Sequence, residues 1–305
     1  MSWGRTVPPI VDDEQVEFFR QNGYLKVEGF VSDEELNRLQ EETMALVDYG
    51  LAEFRDEPGY YYAPSETGEG VVLSRIDFIT GRCDSCKWLI GHPDLLRMVE
   101  RISGKDFLSI GDAMVVKVPG EGAQVTWHRD HGSAWAGTPQ NYNVDIYLDD
   151  APEETCLWAI PGSNLWPDEK AAPFQRKDCV PSEVPEAVPM LMKAGDVILH
   201  DARLIHGSPR TSSESIRRTF YCWFYSLKAL EPFDGTPGYQ AKRRRALHQC
   251  IEARKKSPYT AGEVPFEYRA EVPGATLDGP DVSHIYTEHG YWDPARVLPT
   301  SGTKR

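Results

Sequence analysis

The stretch FLSIGDAMVVKVPGEGAQVTWHRDHG, residues 107–132, decides how the chain is read. A β-branched run, FLSIGDAMVVKV, is followed by a Pro-Gly turn and then by TWHRDHG. Val-rich runs punctuated by Pro and Gly predict strands and tight connections. In a strand, residues i and i+2 share a face, so His128 and Asp130 can reach one ion while Arg129 points away. One imidazole and one carboxylate make half of a mixed N/O metal site.

The same texture continues outward. NVDIYLDD, CLWAIPGS, DVILHD and RRTFYCWFYSL are short β-branched or aromatic runs, separated by the turns AGTPQN, DDAPEE, KAGD and HGSPRTSSES. Short strands at such spacing predict an antiparallel sandwich or barrel. The chain before them reads as helical. DDEQVEFFRQNG predicts a helix capped by Asp12 or Asp13 and stopped at Gly23. YLKVEGF predicts a strand, and SDEELNRLQEETMALVDYG opens with Ser32 and Glu35 in capping-box spacing. Residues 50–75 show no clean periodicity and read as a long insertion. HPDLLRMVERISG predicts an amphipathic helix ending at Gly104. Near the C-terminus, KRRRALHQCIEARKK predicts a basic helix, followed by Pro/Gly-rich chain. The expected organisation is one domain over 1–305, with a helical part at 1–105, a β core at about 106–228 and a closing segment at 229–305.

Composition narrows the partners. Lys+Arg 33 against Asp+Glu 47 gives a net charge of -14, which repels phosphate backbones and argues against nucleic acid. No apolar run has the length of a membrane span, and the N-terminus lacks the apolar segment of a secretory signal. Six cysteines in 305 residues are too sparse for a disulfide framework and suit reduced thiols in the cytoplasm. Cys83 and Cys86 form a single CxxC with no second pair to complete a zinc site, so a structural role is expected.

A third metal ligand must come from elsewhere, and GDVILHDARLIHGSPR, residues 195–210, offers His200 and His206. His206 stands where a strand runs into a turn; His200 lies inside the strand beside Asp201. Two histidines and one carboxylate with open positions is the facial arrangement of non-haem Fe(II) oxygenases. Arg217 and Arg218 then open an aromatic strand that should be buried. A buried guanidinium needs an anionic partner. That partner is either a ligand carboxylate, as in a dicarboxylic acid cosubstrate, or an ordinary Asp or Glu.

Taken together, these pieces resemble the phytanoyl-CoA dioxygenase family of Fe(II)/2-oxoglutarate oxygenases. The likeness runs through FFRQNGYLKVEGFVSDEELNRL, HPDLLRMVERISG, VVKVPG with TWHRDHG, CLWAIPGSN, and GDVILHDARLIHGS with an arginine eleven residues after His206. The chain departs from the family at Asn164, where His is frequent. The resemblance implies a mainly β fold with flanking helices, a double-stranded β-helix or jelly-roll core. It implies metal ligation by His128, Asp130 and His206, with His131 and His200 outside the ligand set. It selects Arg217 over Arg218 for the distal carboxylate of 2-oxoglutarate, helped by Ser208 and, more remotely, by Lys117. It also implies O2 as oxidant and hydroxylation of an unactivated C–H of a free small molecule, with succinate and CO2 as coproducts. Asp130 disfavours halogenation, because halogenating relatives lack that carboxylate.

Several readings stay open. The same triad serves desaturation, epimerisation and oxidative cyclisation. A metal hydrolase or isomerase on a similar barrel, or a non-catalytic binding relative, would dispense with 2-oxoglutarate. Trp127, Trp135, Tyr60, Tyr61, Tyr62 and the segment from Tyr286 to Trp292 are candidate pocket residues or ordinary core. The run from Lys242 to Arg245 reads as a solvated helix face or a phosphate contact. The oligomeric state, monomer or homodimer, is left undecided.

Overall fold

The computed structural model of the protein describes residues 10–272 apart from 57, 66, 69, 131–140, 176 and 231–238, together with 276, 278 and 279. Helix α1 (Asp13–Asn22) is capped by Asp12 in a full capping box with Gln15, and Gly23 ends it in the left-handed conformation. Strand β1 (Tyr24–Val27) follows, then α2 (Asp33–Ala52), whose Ser32 accepts the Glu35 backbone N–H. The predicted capping box is only half formed there. Glu35 turns inward instead and pairs with Arg254, which also binds Glu263, so the start of α2 is tied to the C-terminal segment.

Strands β2 (Tyr60–Pro64) and β3 (Val71–Asp77) occupy the region read above as an insertion. They are antiparallel partners with a register shift between Tyr61 and Tyr62, and β3 joins the main sheet through Arg75 opposite Val115. The shift breaks the period-two pattern that would mark a strand in sequence. Strand structure thus begins well before residue 105. Helices α3 (Asp84–Ile90) and α4 (Pro93–Ser103) precede β4 (Phe107–Lys117), β5 (Val125–His128), β6 (Asn141–Tyr147) and β7 (Leu157–Ala159). The short α5 (Asp168–Ala171), β8 (Val188–Met190), β9 (Val197–Asp201), β10 (His206–Ser208), β11 (Arg217–Ser226), the short α6 (Leu227–Leu230) and α7 (Tyr239–Arg254) complete the described elements.

Two antiparallel sheets result, one of seven strands in the order β1-β9-β6-β11-β4-β3-β2 and one of four in the order β5-β10-β7-β8. This is the jelly-roll arrangement. Alternation along the central strands separates its two faces. On β11, Phe220, Cys222 and Phe224 join a large apolar cluster with residues of α1, α2, α3, α4 and α7. Arg217, Thr219 and Tyr221 alternate with them and face the space between the sheets. The outer face therefore holds the helices, and the inner face is free to carry chemistry.

Close packing outside the sheets is tight. A Cβ on Gly91 would lie 2.2 Å from the Cys250 carbonyl oxygen, where α3 meets α7. Gly91→Ala is expected to cost about 1–3 kcal/mol through overpacking against backbone, read as a lower urea midpoint at unchanged slope. The basic run on α7 is not a solvated face. Arg243 is buried, Arg244 donates to the Ala270 carbonyl at 2.6 Å, and Arg245 donates to the Thr276 carbonyl at 3.0 Å. Cys83 caps α3 and Cys86 lies in its first turn, both buried. Burial and the neighbouring Cys83 push the Cys86 thiol far up, away from the reactive thiolate form. Among the described residues, no helix is long and apolar enough to cross a membrane.

Candidate functional site

The four-stranded sheet brings two distant histidines together. His128 ends β5 and His206 opens β10, and the two are direct partners in the antiparallel register. Their rings lie 4.3 Å apart between centroids. Asp130 follows β5, anchored by its backbone N–H to the Ala202 carbonyl at 3.0 Å. Its Oδ1 stands 3.4 Å from His128 Nε2 and 3.6 Å from His206 Nε2. One ligand atom from each of His128, Asp130 and His206 lies within 4.8 Å of the others, close enough to surround one ion.

The backbone sets the chemistry of both imidazoles. His128 Nδ1 faces the Thr126 carbonyl at 2.8 Å and His206 Nδ1 faces the Leu204 carbonyl at 3.0 Å. A carbonyl only accepts, so each Nδ1 carries the proton and a neutral ring offers its Nε2 lone pair to the centre. Burial, then His128, lowers His206 to about 3, so it is neutral at physiological pH and ready to ligate. Burial alone would raise Asp130. His206 and the other two histidines more than reverse that and keep the carboxylate ionised.

His200 is nearby but differently employed. It lies on β9 with Nε2 3.3 Å from Asp145 Oδ2 and Nδ1 3.8 Å from Asp130 Oδ2. Burial works against charging it, yet Asp145 and then Asp130 hold it up at about 9. A protonated imidazole has no lone pair for a metal. His131 and Trp135 lie outside the described residues, as does the segment from Tyr286 to Trp292.

The second part of the site lies deeper between the sheets. Arg217 and Lys117 are cross-strand partners on β11 and β4, both buried. The Arg217 guanidinium donates to Thr219 Oγ1 at 2.8 Å, to the Thr155 carbonyl at 3.2 Å and to Ser208 Oγ at 3.3 Å. Among the described residues, no carboxylate pairs with it. Arg218, one residue on and facing the helices, has the ordinary salt bridge: two bonds of 2.8 Å to Asp149. Lys117 Nζ donates to the carbonyls of Ala123 and Pro209 at 2.8 and 2.6 Å. Burial first, and Arg217 next, lower it to about 6, so at neutral pH it is an amine whose two N–H donors match those two carbonyls.

Several inner-wall residues were not singled out from the sequence. Asn143 on β6 donates to Asp130 Oδ2 at 2.8 Å. On β3, Arg75 pairs with Asp77 at 2.5 Å and lies 5.4 to 5.8 Å from the rings of Tyr61, Tyr221 and Trp223. The available signal was the polar residue at every second position of NVDIY, within a strand otherwise fit for the core. Of the Tyr60–Tyr62 cluster, only Tyr61 faces this wall. Tyr60 and Tyr62 belong to the helix-side cluster. Trp127 is fully buried in an apolar cluster with Ile160, Cys179 and Ile205. Asn164 donates to the Arg20 carbonyl at 3.2 Å, tying the turn after β7 to α1.

A family model described as phytanoyl-CoA dioxygenase (PhyH) matches residues 19–219. The chain belongs to the phytanoyl-CoA dioxygenase family. It is 26% identical over 240 residues to phytanoyl-CoA dioxygenase 1 of Oryza sativa subsp. japonica, covering 66% of this chain and 85% of that protein. A probable alpha-ketoglutarate-dependent hypophosphite dioxygenase of Stutzerimonas stutzeri is 24% identical over 241 residues, covering 74% and 82%. Among solved structures, AviO1 from Streptomyces viridochromogenes Tue57 superposes with a TM-score of 0.60 at 27% identity, covering 72% of this chain and 97% of that one. This phytanoyl-CoA dioxygenase family member is an oxidoreductase with a jelly-roll core, and its candidate site lies between the two sheets.

Proposed function

We propose that the protein is an Fe(II)- and 2-oxoglutarate-dependent dioxygenase that hydroxylates an unactivated C–H of a free small molecule in the cytoplasm. His128, Asp130 and His206 hold the iron. Arg217, with Ser208 and Lys117, holds the distal carboxylate of 2-oxoglutarate. The observation that carries this reading is Arg217, a buried guanidinium without a carboxylate partner among the described residues, set between the sheets that also bear the triad. An unpaired buried cation is costly, and a dianionic ligand would relieve it. When bound, iron, 2-oxoglutarate and O2 supply C–H oxidation, with succinate and CO2 as coproducts.

The residues do the rest. The two Nδ1–carbonyl bonds hold the rings with their Nε2 atoms turned inward. Asp130 contributes one negative charge. Arg217 supplies a fork suited to two carboxylate oxygens. An anaerobic titration of the apo protein with Fe(II), then 2-oxoglutarate, is expected to give a visible charge-transfer band only when both are present. Bound metal without a band would favour the hydrolase or isomerase reading. Desaturation, epimerisation and cyclisation use the same residues, and product analysis with a substrate in hand separates them.

Lys117 gives this reading a proton signature. Its folded pKa of about 6 lies below the ordinary 10.5, so between those values the unfolded chain binds a proton that the folded chain does not. Through this group, stability rises with pH across that window, and the penalty is fully present below it. An anion seated between Lys117 and Arg217 would favour the ammonium. Binding of 2-oxoglutarate near pH 7.5 is therefore expected to take up close to one proton, measured by calorimetry in two buffers of different ionisation enthalpy. Lys117→Met should abolish that uptake and weaken binding on the order of tenfold, the loss of one charge-assisted bond. Equal uptake in both proteins would remove Lys117 from the site.

A further inference from the structure

We propose that Asn143 is a positioning residue that makes Asp130 a one-oxygen ligand. The inference rests on reading the triad as the metal site. Asp130 presents its two oxygens to different surroundings. Oδ1 faces His128 Nε2 and His206 Nε2 at 3.4 and 3.6 Å. Oδ2 faces away, accepting from Asn143 Nδ2 at 2.8 Å with His200 Nδ1 3.8 Å distant. Asn143 and His200 are direct cross-strand partners on β6 and β9, so the seven-stranded sheet backs the carboxylate from one side. The Asn143–Asp130 bond thus spans the two sheets, and the sheet separation fixes the rotation of the carboxylate.

The orientation of the Asn143 amide follows from its surroundings. Among the described residues its Oδ1 has no hydrogen-bond partner, although the residue is only 2% exposed. Turning the amide over would set that oxygen against Oδ2 of Asp130, oxygen against oxygen. The neighbours Val144 and Ile146 point to the apolar outer face, and Asn143 points to the inner face beside Asp130. Retaining a half-satisfied amide at the centre of the sheet has a reason if its donor is needed at Asp130. A carboxylate whose second oxygen is held toward a donor on the other sheet presents its first oxygen to the ion. Ligation through Oδ1 alone leaves the facial site with its remaining positions free for a chelating cosubstrate and O2.

Asn143→Leu has similar volume and no donor, and Asn143→Ser is too short to reach Oδ2. Both are compared with the unaltered protein using Mn(II), a probe that does not oxidise during the assay, with free Mn(II) read by electron paramagnetic resonance. Anaerobic Fe(II) and 2-oxoglutarate are then added, and the position of the charge-transfer band is recorded. The expected result is a 10–100-fold weaker Mn(II) affinity in each variant, as for other residues behind a metal ligand, and a displaced or missing band. The melting temperature of the apo variants should stay near that of the parent. If either folded variant keeps Mn(II) affinity within threefold and the band unmoved, the inference is overturned. If the unaltered protein takes up no Mn(II), the reading of the triad fails first, and the Asn143 inference falls with it.

Discussion

His206→Ala is expected to abolish Fe(II) binding, whereas His200→Ala keeps it. The two histidines are six residues apart in chain numbering on either side of a turn, and both approach Asp130. They differ in protonation. His206 has its Nδ1 proton on a backbone carbonyl and is held neutral down to about pH 3 by burial and the facing His128. His200 is held as a cation up to about pH 9, against its burial, by Asp145 and Asp130. Loss of His206 removes one of three donors, and the affinity should fall by more than the 10–100-fold typical of residues behind the ligands. Asp130→Ala and His128→Ala should behave the same way. Equilibrium dialysis of Fe(II) under nitrogen measures it. Iron lost in His200→Ala and kept in His206→Ala would reverse the assignment.

The second large effect concerns the cosubstrate. Arg217→Ala should weaken 2-oxoglutarate binding by about 3–5 kcal/mol, the range for breaking a buried charge pair, or on the order of a hundred- to a thousandfold or more. The same substitution should leave the apo protein no less stable. It deletes a guanidinium bonded to a carbonyl and two hydroxyls, with no carboxylate beside it among the described residues. Arg218→Ala makes the contrast. That residue is bonded twice to Asp149 and also to the Gln40 carbonyl, so its removal strands a carboxylate and should destabilise the fold while leaving the cosubstrate alone. Binding of 2-oxoglutarate within threefold of the parent in Arg217→Ala would sink the cosubstrate assignment and favour a hydrolase or isomerase.

Much of this was legible from local pattern. The capping residues of α1, the stop at Gly104 and the run of short strands from residue 107 are all signals within a few residues, and the structure has them. Where local pattern misled, a non-local partner had taken over. Glu35 left its capping box for Arg254, 219 residues away. The β2–β3 hairpin hid behind a register shift, and Arg244 and Arg245 looked solvated because the chain they hold comes later.

By itself, the sequence marked a run of short antiparallel strands, the pair His128 and Asp130, and the candidates His200 or His206 and Arg217 or Arg218, and its resemblance to the phytanoyl-CoA dioxygenase family implied the jelly roll and chose His206 and Arg217. Hydrophobic period and motif spacing are properties of short segments, and they survive without any knowledge of the fold. Only the tertiary structure decided that His128 and His206 stand opposite each other, that Asn143 reaches Asp130 from the other sheet, and that Asp149 takes Arg218 and leaves Arg217 alone. Those outcomes depend on strand register and on which face each strand turns inward. A shift of one residue would exchange every inner side chain for an outer one.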